Sequence, residues 1–399
     1  MANLVLELGL ALSLVALAGL LAARSRFSAV PFFILAGLAV GPHTPLGFVE
    51  SAPVINFLGR LGLLVLLFYL GLEFSVGRLL RAGRSILLGG VIYMAINLPL
   101  GLLLPWLLGW PLREILVAAG ITTISSTAIA ARLVVELKRT ANPETEMILG
   151  LMLFQDAFVV VYLAVISGLV LTGNASPGQV AKATLGALAF MAGFLFLGRR
   201  LKPLLDRWLD IPSDELLLLV IFAALTLVAG LAESLHLAEA VGALLVGLVL
   251  GETEHFQRIQ HLVVPFRDFF SALFFFSFGL GIDPLTLKGA VWPALAAVAL
   301  TLVGNFTSGL LAGRTAGLSP RASTNVGLTI TARGEFSIIL ANLARAGGLL
   351  PVLQSFAALY VVILAVLGPL LTKESRWIYA RLRPVFRWPA LPPRKQKIS

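Results

Sequence analysis

The 399-residue chain contains no cysteine. A disulfide framework, a thiolate metal centre and a nucleophilic thiol are therefore excluded. Histidine is nearly as scarce: His43, His236, His255 and His261 are scattered, without ligand-like spacing. Charge is also sparse. Only 13% of the residues are charged, against about 25% in a soluble domain, too few to cover a surface in water. No basic stretch precedes the first apolar run, MANLVLELGLALSLVALAGLLAAR. That run is roughly 20 residues long, too long for a signal-peptide core, and reads as a retained first helix. No nucleophile–base pair or metal cluster appears, so the chain does not read as an enzyme.

What is present is apolar length. Hydrophobic residues make up 58% of the chain. A hydrocarbon core about 30 Å thick needs roughly 20 apolar residues per helix. That ruler gives about thirteen spans, at 3–22, 29–48, 53–73, 85–108, 113–135, 145–172, 179–198, 214–234, 237–251, 259–281, 290–313, 321–346 and 351–372. The fold class is an all-α polytopic membrane protein. The net charge of +10 does not point to nucleic acid, because Lys and Arg sit in the gaps between apolar runs and not on one face. With Met1 outside, they concentrate in alternate loops, from Arg24 and Arg26 through Arg78, Arg81, Arg199 and Arg200 to the tail. Only Arg113, Lys182, Lys288 and Arg345 fall in the outer loops, while Arg60 and Arg333 fall within spans. This bias places the C-terminus in the cytoplasm. The expected organisation is a transmembrane region over 1–372 and a short basic cytoplasmic tail over 373–399, suited to an anionic inner leaflet or a cytosolic partner.

The informative residues are the polar ones inside spans. Asp156, in LMLFQDAFVVVYLAV, lies roughly nine residues inside the sixth span, about 13 Å deep at 1.5 Å per residue. An ionisable group at that depth is costly and marks an ion path by default. Five hydroxyl residues, Thr122, Thr123, Ser125, Ser126 and Thr127, crowd the middle of the fifth span. They suit either a broken helix, a set of oxygen ligands for a dehydrated cation, or close helix packing. In the twelfth span, NVGLTITARGEFSIILANL carries Arg333, Gly334 and Glu335 near its midpoint. Two residues apart on a helix, the charges do not share a face. Unwinding at Gly334 would let them meet, so Arg333 and Glu335 are either a fixed brace or part of transport. Asn305, in the eleventh span, lies at a similar depth and reads as a helix-to-helix hydrogen bond. The fifth and twelfth spans run in opposite directions. Two inverted triplets, the fourth to sixth and the eleventh to thirteenth spans, would then cross at broken helices, with Asp156 beside the crossing.

Five segments in order carry a resemblance: PFFILAGLAVGP (31–42), LGLLVLLFYLGLEF (61–74), SSTAIAARL (125–133), LFQD (153–156) and ARGEFS (332–337). Together they resemble the monovalent cation/proton antiporter-2 family, and within it the potassium/proton exchangers of Kef, Kht and Amh type. Gln155 followed by Asp156 is similar to that branch, whereas the electrogenic sodium/proton branch has two adjacent Asp residues. The sodium/proton branch and several potassium exchangers carry a Lys where this chain has Asn305, so Asn305 departs from both. The resemblance implies an inverted-repeat antiporter fold with two crossing discontinuous helices, a homodimer, a helix-bundle core moving against a dimerisation domain, and a separate cytosolic regulatory subunit. It also implies an inner-membrane location and a part in pH homeostasis. The expected activity is exchange of a monovalent cation, potassium foremost, for protons at Asp156, with Gln155, Thr122, Thr123, Ser125 and Ser126 around it. One carboxylate in the pair implies electroneutral exchange. No cofactor is expected. A sodium/proton antiporter of the same fold and a gated cation channel are the alternatives.

Overall fold

The computed structural model describes residues 4–25, 27–42, 44, 53–73, 83–172, 202–234 and 239–382, with isolated positions between 178 and 200. Among these residues every regular element is a helix: α1 (Leu4–Ser25), α2 (Ala29–Val40), α3 (Pro53–Glu73), α4 (Arg84–Leu107), α5 (Leu112–Thr123), α6 (Thr127–Glu136), α7 (Pro143–Thr172), α8 (Asp214–Ser234), α9 (Glu239–Gly251), α10 (Phe256–Leu280), α11 (Pro284–Thr315), α12 (Pro320–Thr329), α13 (Glu335–Ala346), α14 (Val352–Lys373) and α15 (Ser375–Leu382). Apolar sequence in lipid has no other local solution, because each backbone N–H and C=O must find its partner within the segment. Helix starts follow local chemistry. Asp283 caps α11 by accepting from Leu285 N, and Ser319 caps α12 by accepting from Ala322 N, each just ahead of a Pro in the first turn.

Every expected span except the seventh has a helical counterpart. The seventh, 179–198, lies largely outside the described residues. Among the described residues nine helices are long and apolar enough to cross a membrane, taking 112–136 as one. The count of thirteen is thus not a structural count. Three boundaries differ most from expectation. The eleventh span begins at Pro284 and not near residue 290. The second span stops at Val40 and not near residue 48. The expected tail begins as a helix, α15, which carries Arg376, Trp377 and Arg381; residues 383–399 lie outside the described residues.

The helices pack in two groups. In the first, α3 lies against α9 and α10, α2 against α10, and α1 against α2. Glycine makes these contacts close. A Cβ on Gly71 would strike the Leu244 carbonyl, and one on Gly247 the Phe68 carbonyl, so the α3 and α9 backbones touch directly. Gly37 and Gly279 do the same for α2 and α10. Lipid tails supply no hydrophobic drive between helices, so association relies on such close packing. In the second group α4 runs along α11, α5 on α13, α12 on α7, and α6 on α14. These contacts pack the two expected triplets against each other.

Two breaks lie inside the second group. Ile124 and Ser126 are extended between α5 and α6, and Gly334, with φ −157° and ψ −131°, is non-helical before α13. The two breaks meet: Ser126 N donates to Ala332 O at 2.9 Å. Ser125, Ser337 and Arg333 are spent on carbonyls at or next to the breaks.

Candidate functional site

The crossing has two poles. At one, the C-terminal ends of α5 and α12 bring their unpaired carbonyls together. Arg333 is fully buried there. Its Nε and Nη2 donate to Thr122 O at 3.1 and 2.9 Å, and its Nη1 donates to Ile330 O at 3.0 Å and Ser125 Oγ at 2.9 Å. Two tyrosines complete the cap: Tyr93 OH donates to Thr123 O at 2.7 Å and Tyr360 OH to Thr122 O at 3.0 Å. Ser337 Oγ donates to Ile121 O at 2.7 Å. Each helix C-terminus carries about half a negative charge. One guanidinium therefore balances two half-helices.

At the other pole the N-termini of α6 and α13 face each other. Ser126 caps α6 by accepting from Ile129 N, and its hydroxyl donates to Glu335 Oε2 at 3.2 Å. Glu335 is the first residue of α13. Its carboxyl faces two N-termini of about half a positive charge each. A side chain at Gly334 would crowd this pole, because a Cβ there would lie 2.7 Å from Ser126 Oγ. Asp156, half-buried on α7, joins the same pole. Thr127 Oγ1, in the first turn of α6, lies 3.1 Å from both of its carboxylate oxygens. Next to it, Gln155 Oε1 accepts from Ser125 N at 2.8 Å.

This arrangement corrects part of the expected site. The brace between Arg333 and Glu335 is not formed: the two side chains serve opposite poles of the crossing, where opposite partial charges await them. Thr122 and Thr123 do not turn their hydroxyls toward Asp156. Thr122 Oγ1 donates to Ala118 O at 3.0 Å and Thr123 Oγ1 to Ala119 O at 2.7 Å, both inside their own helix. Ser125 Oγ donates to Ile330 O at 2.6 Å, Ser126 serves Glu335, and Thr127 alone of the five hydroxyls reaches Asp156. Asn305 Nδ2 donates to Ile330 O at 3.0 Å, the helix-to-helix bond expected of it. Sequence reasoning missed Tyr93 and Tyr360. The available signal was a phenol buried in a span, which needs a partner for its O–H.

The hydroxyl assignment gives a direct contrast. Thr127→Val should raise the apparent KM for the cation expected at Asp156 while the protein stays folded. Thr123→Val, which loses only a bond to its own helix, should leave that KM close to wild type. Cation titrations of both variants in liposomes check this, and equal effects would contradict the geometry.

Around the site, Gln260 Nε2 donates to Glu73 Oε1 at 3.2 Å and to Tyr69 OH at 3.1 Å, and Arg267 lies 4.1 Å over the Tyr69 ring. Toward the C-terminal end of α7 a cavity of about 700 Å³ opens between the two helix groups, with Arg60, Glu233, Glu239 and Ser167 in its wall. Arg60 there binds both acids, at 2.9 Å to Glu233 and 2.7 Å to Glu239. Leu67, Leu163 and Leu244 line this cavity and Asp156 does not.

Residues 10–373 match the family described as sodium/hydrogen exchanger, transmembrane. The chain is 56% identical over 404 residues to the K(+)/H(+) antiporter subunit KhtU of Bacillus subtilis, covering 100% of both chains. It is 31% identical over 375 residues to the ammonium/H(+) antiporter subunit AmhT of Alkalihalophilus pseudofirmus, covering 91% of each. Among solved structures it superposes on the sodium proton antiporter MjNhaP1 from Methanocaldococcus jannaschii at pH 8 with a TM-score of 0.67 and 18% identity, covering 94% of this chain and 97% of that one. At that identity the superposition speaks for the fold.

Proposed function

From the chain's membership of the transmembrane sodium/hydrogen exchanger family, we propose that it exchanges potassium for protons, one for one, with Asp156 as the shared site. The protein is a multi-pass membrane cation/proton antiporter and not an enzyme. The observation that carries the proposal is the setting of Asp156. It is a half-buried carboxylate against the N-terminal pole of a broken helix, with one hydroxyl, Thr127, on both its oxygens. Protonated, Asp156 is neutral and releases the cation. Deprotonated, it binds the cation, and hydroxyl or carbonyl oxygens complete the shell. Cation and proton compete for one group, so neither crosses without the other. Potassium is supported by the near full-length likeness to a K(+)/H(+) antiporter subunit. Ammonium is the second reading, supported by the likeness to an ammonium/H(+) antiporter subunit. No cofactor enters this chemistry.

The second helix group, α4–α7 with α11–α14, is the body that moves, and the first group is the fixed dimerisation half of a homodimer. Its α1 and α8 carry outward-facing leucines such as Leu6, Leu17, Leu219 and Leu227, which suit lipid or a second copy. The N-terminus lies outside and the basic tail in the cytoplasm. There α15 and the residues after it meet a cytosolic regulatory subunit, a reading supported by both relatives being named subunits.

Purified protein in liposomes with an enclosed pH dye tests the proposal. Potassium gradients should drive proton movement more effectively than sodium or lithium gradients, and an imposed membrane potential should not change the rate at fixed gradients. A clear voltage dependence would show that net charge moves and that a second titrating group takes part, Glu335 first among the candidates. A current with no coupled proton flux would instead point to a gated channel.

A further inference from the structure

Two amides at the crossing are each half used. Gln155 on α7 is 1% exposed and Asn305 on α11 is 0% exposed. Gln155 accepts from the Ser125 backbone N–H through Oε1, and Asn305 donates to the Ile330 carbonyl through Nδ2. These bonds fix which way each amide points. A flipped Gln155 would set an NH₂ against an N–H, and a flipped Asn305 would set an oxygen against a carbonyl. What remains is a donor, Gln155 Nε2, and an acceptor, Asn305 Oδ1, each buried with no hydrogen-bond partner in the protein. Their anchors are joined, since Ser125 Oγ donates to Ile330 O at 2.6 Å. The two free ends therefore hang from one backbone junction and complement each other. Leaving both unmade is costly in a dry interior.

We propose that Gln155 Nε2 and Asn305 Oδ1, which make no direct bond, are linked through a single ordered water, and that this link sets the position of Asp156. A water suits the gap because it accepts from the one and donates to the other. A cation does not, because the Arg333 guanidinium occupies Ser125 Oγ and Ile330 O at the same junction. Gln155 precedes Asp156 on α7. A tie from Gln155 to α11 holds that turn of α7 in register with the crossing, so Gln155 and Asn305 are positioning residues that act through Asp156. Their role rests on Asp156 being the ion site, whereas the existence of the link does not.

The first test is a double-mutant cycle on the apparent KM for cation-driven proton movement in liposomes. Gln155→Leu and Asn305→Leu should each raise that KM about tenfold, the factor that corresponds to about 1.4 kcal/mol, with kcat changed less. The double variant should be no worse than the poorer single, because the link is broken once in each. Multiplied effects, about a hundredfold in the double variant, would overturn the link. The second test needs no variant. A cryo-EM map of the wild-type protein fine enough to show waters should place a single density between the two amides. A separation wider than one water would overturn the proposal even if the leucine variants fail to fold. If Asp156→Asn retained full exchange, the ion-site reading would fall while the map still decided the link.

Discussion

Asp156→Asn should reduce cation-driven proton movement in liposomes to the level of empty vesicles, with the protein still folded. The substitution keeps the shape of the side chain and removes the charge that the cation needs and the proton titrates. Thr127 can still bond the amide oxygen, so the N-terminal turn of α6 loses little. Neutralising a carboxylate inside a membrane removes a cost and does not add one. The melting temperature in detergent should therefore stay at or above that of the wild type. Loss of transport with a preserved melting transition is the signature of an ion site. Loss of both would assign Asp156 a structural part, and unchanged transport would remove it from the mechanism.

The other large effect falls on Arg333 and is structural. A hydrogen bond to a charged group contributes about 1.5–3 kcal/mol, and Arg333 makes several to carbonyls that have few alternatives in the membrane. Arg333→Met should lower the melting temperature sharply, because Thr122 O and Ile330 O lose a fork that bridges two helix ends. Arg333→Lys should recover part of the loss. A point charge meets the C-terminal pole but cannot span both helices as a planar fork does. Glu335→Gln acts on the opposite pole, so its effect should add to that of Arg333→Met and not rescue it. A double variant more stable than Arg333→Met alone would mean that the two charges pair after all. Thermal unfolding of the four variants in one detergent decides it.

The helices were legible because lipid imposes length and polarity limits that few residues evade. The ruler of apolar length placed α3 and α8 at their observed bounds, and the polar centres of 113–135 and 321–346 marked both breaks. Gly334 was also the right residue for the second break, since no side chain fits beside Ser126. What escaped was direction. Arg333 and Glu335 are two residues apart, and proximity suggested a pair. Only the three-dimensional crossing reveals that a chain passing from α12 to α13 moves from a C-terminal pole to an N-terminal pole within those residues. Five adjacent hydroxyls could not be ranked for the same reason. A hydroxyl late in α5 finds its own helix carbonyl, and one at the start of α6 has no such carbonyl behind it. Tyr93 and Tyr360 sit on α4 and α14, remote in sequence from the breaks they cap, and no spacing connects them.

The central claim is that cation and proton compete for one carboxylate, and proton release on cation binding tests it without transport or orientation. Purified protein in weakly buffered detergent, with a pH indicator, should release protons when potassium is added near neutral pH. Release should saturate with cation binding at about one proton per site and vanish in Asp156→Asn. Saturable potassium binding by the wild type with no proton release, or undiminished release by the Asn variant, would contradict the account.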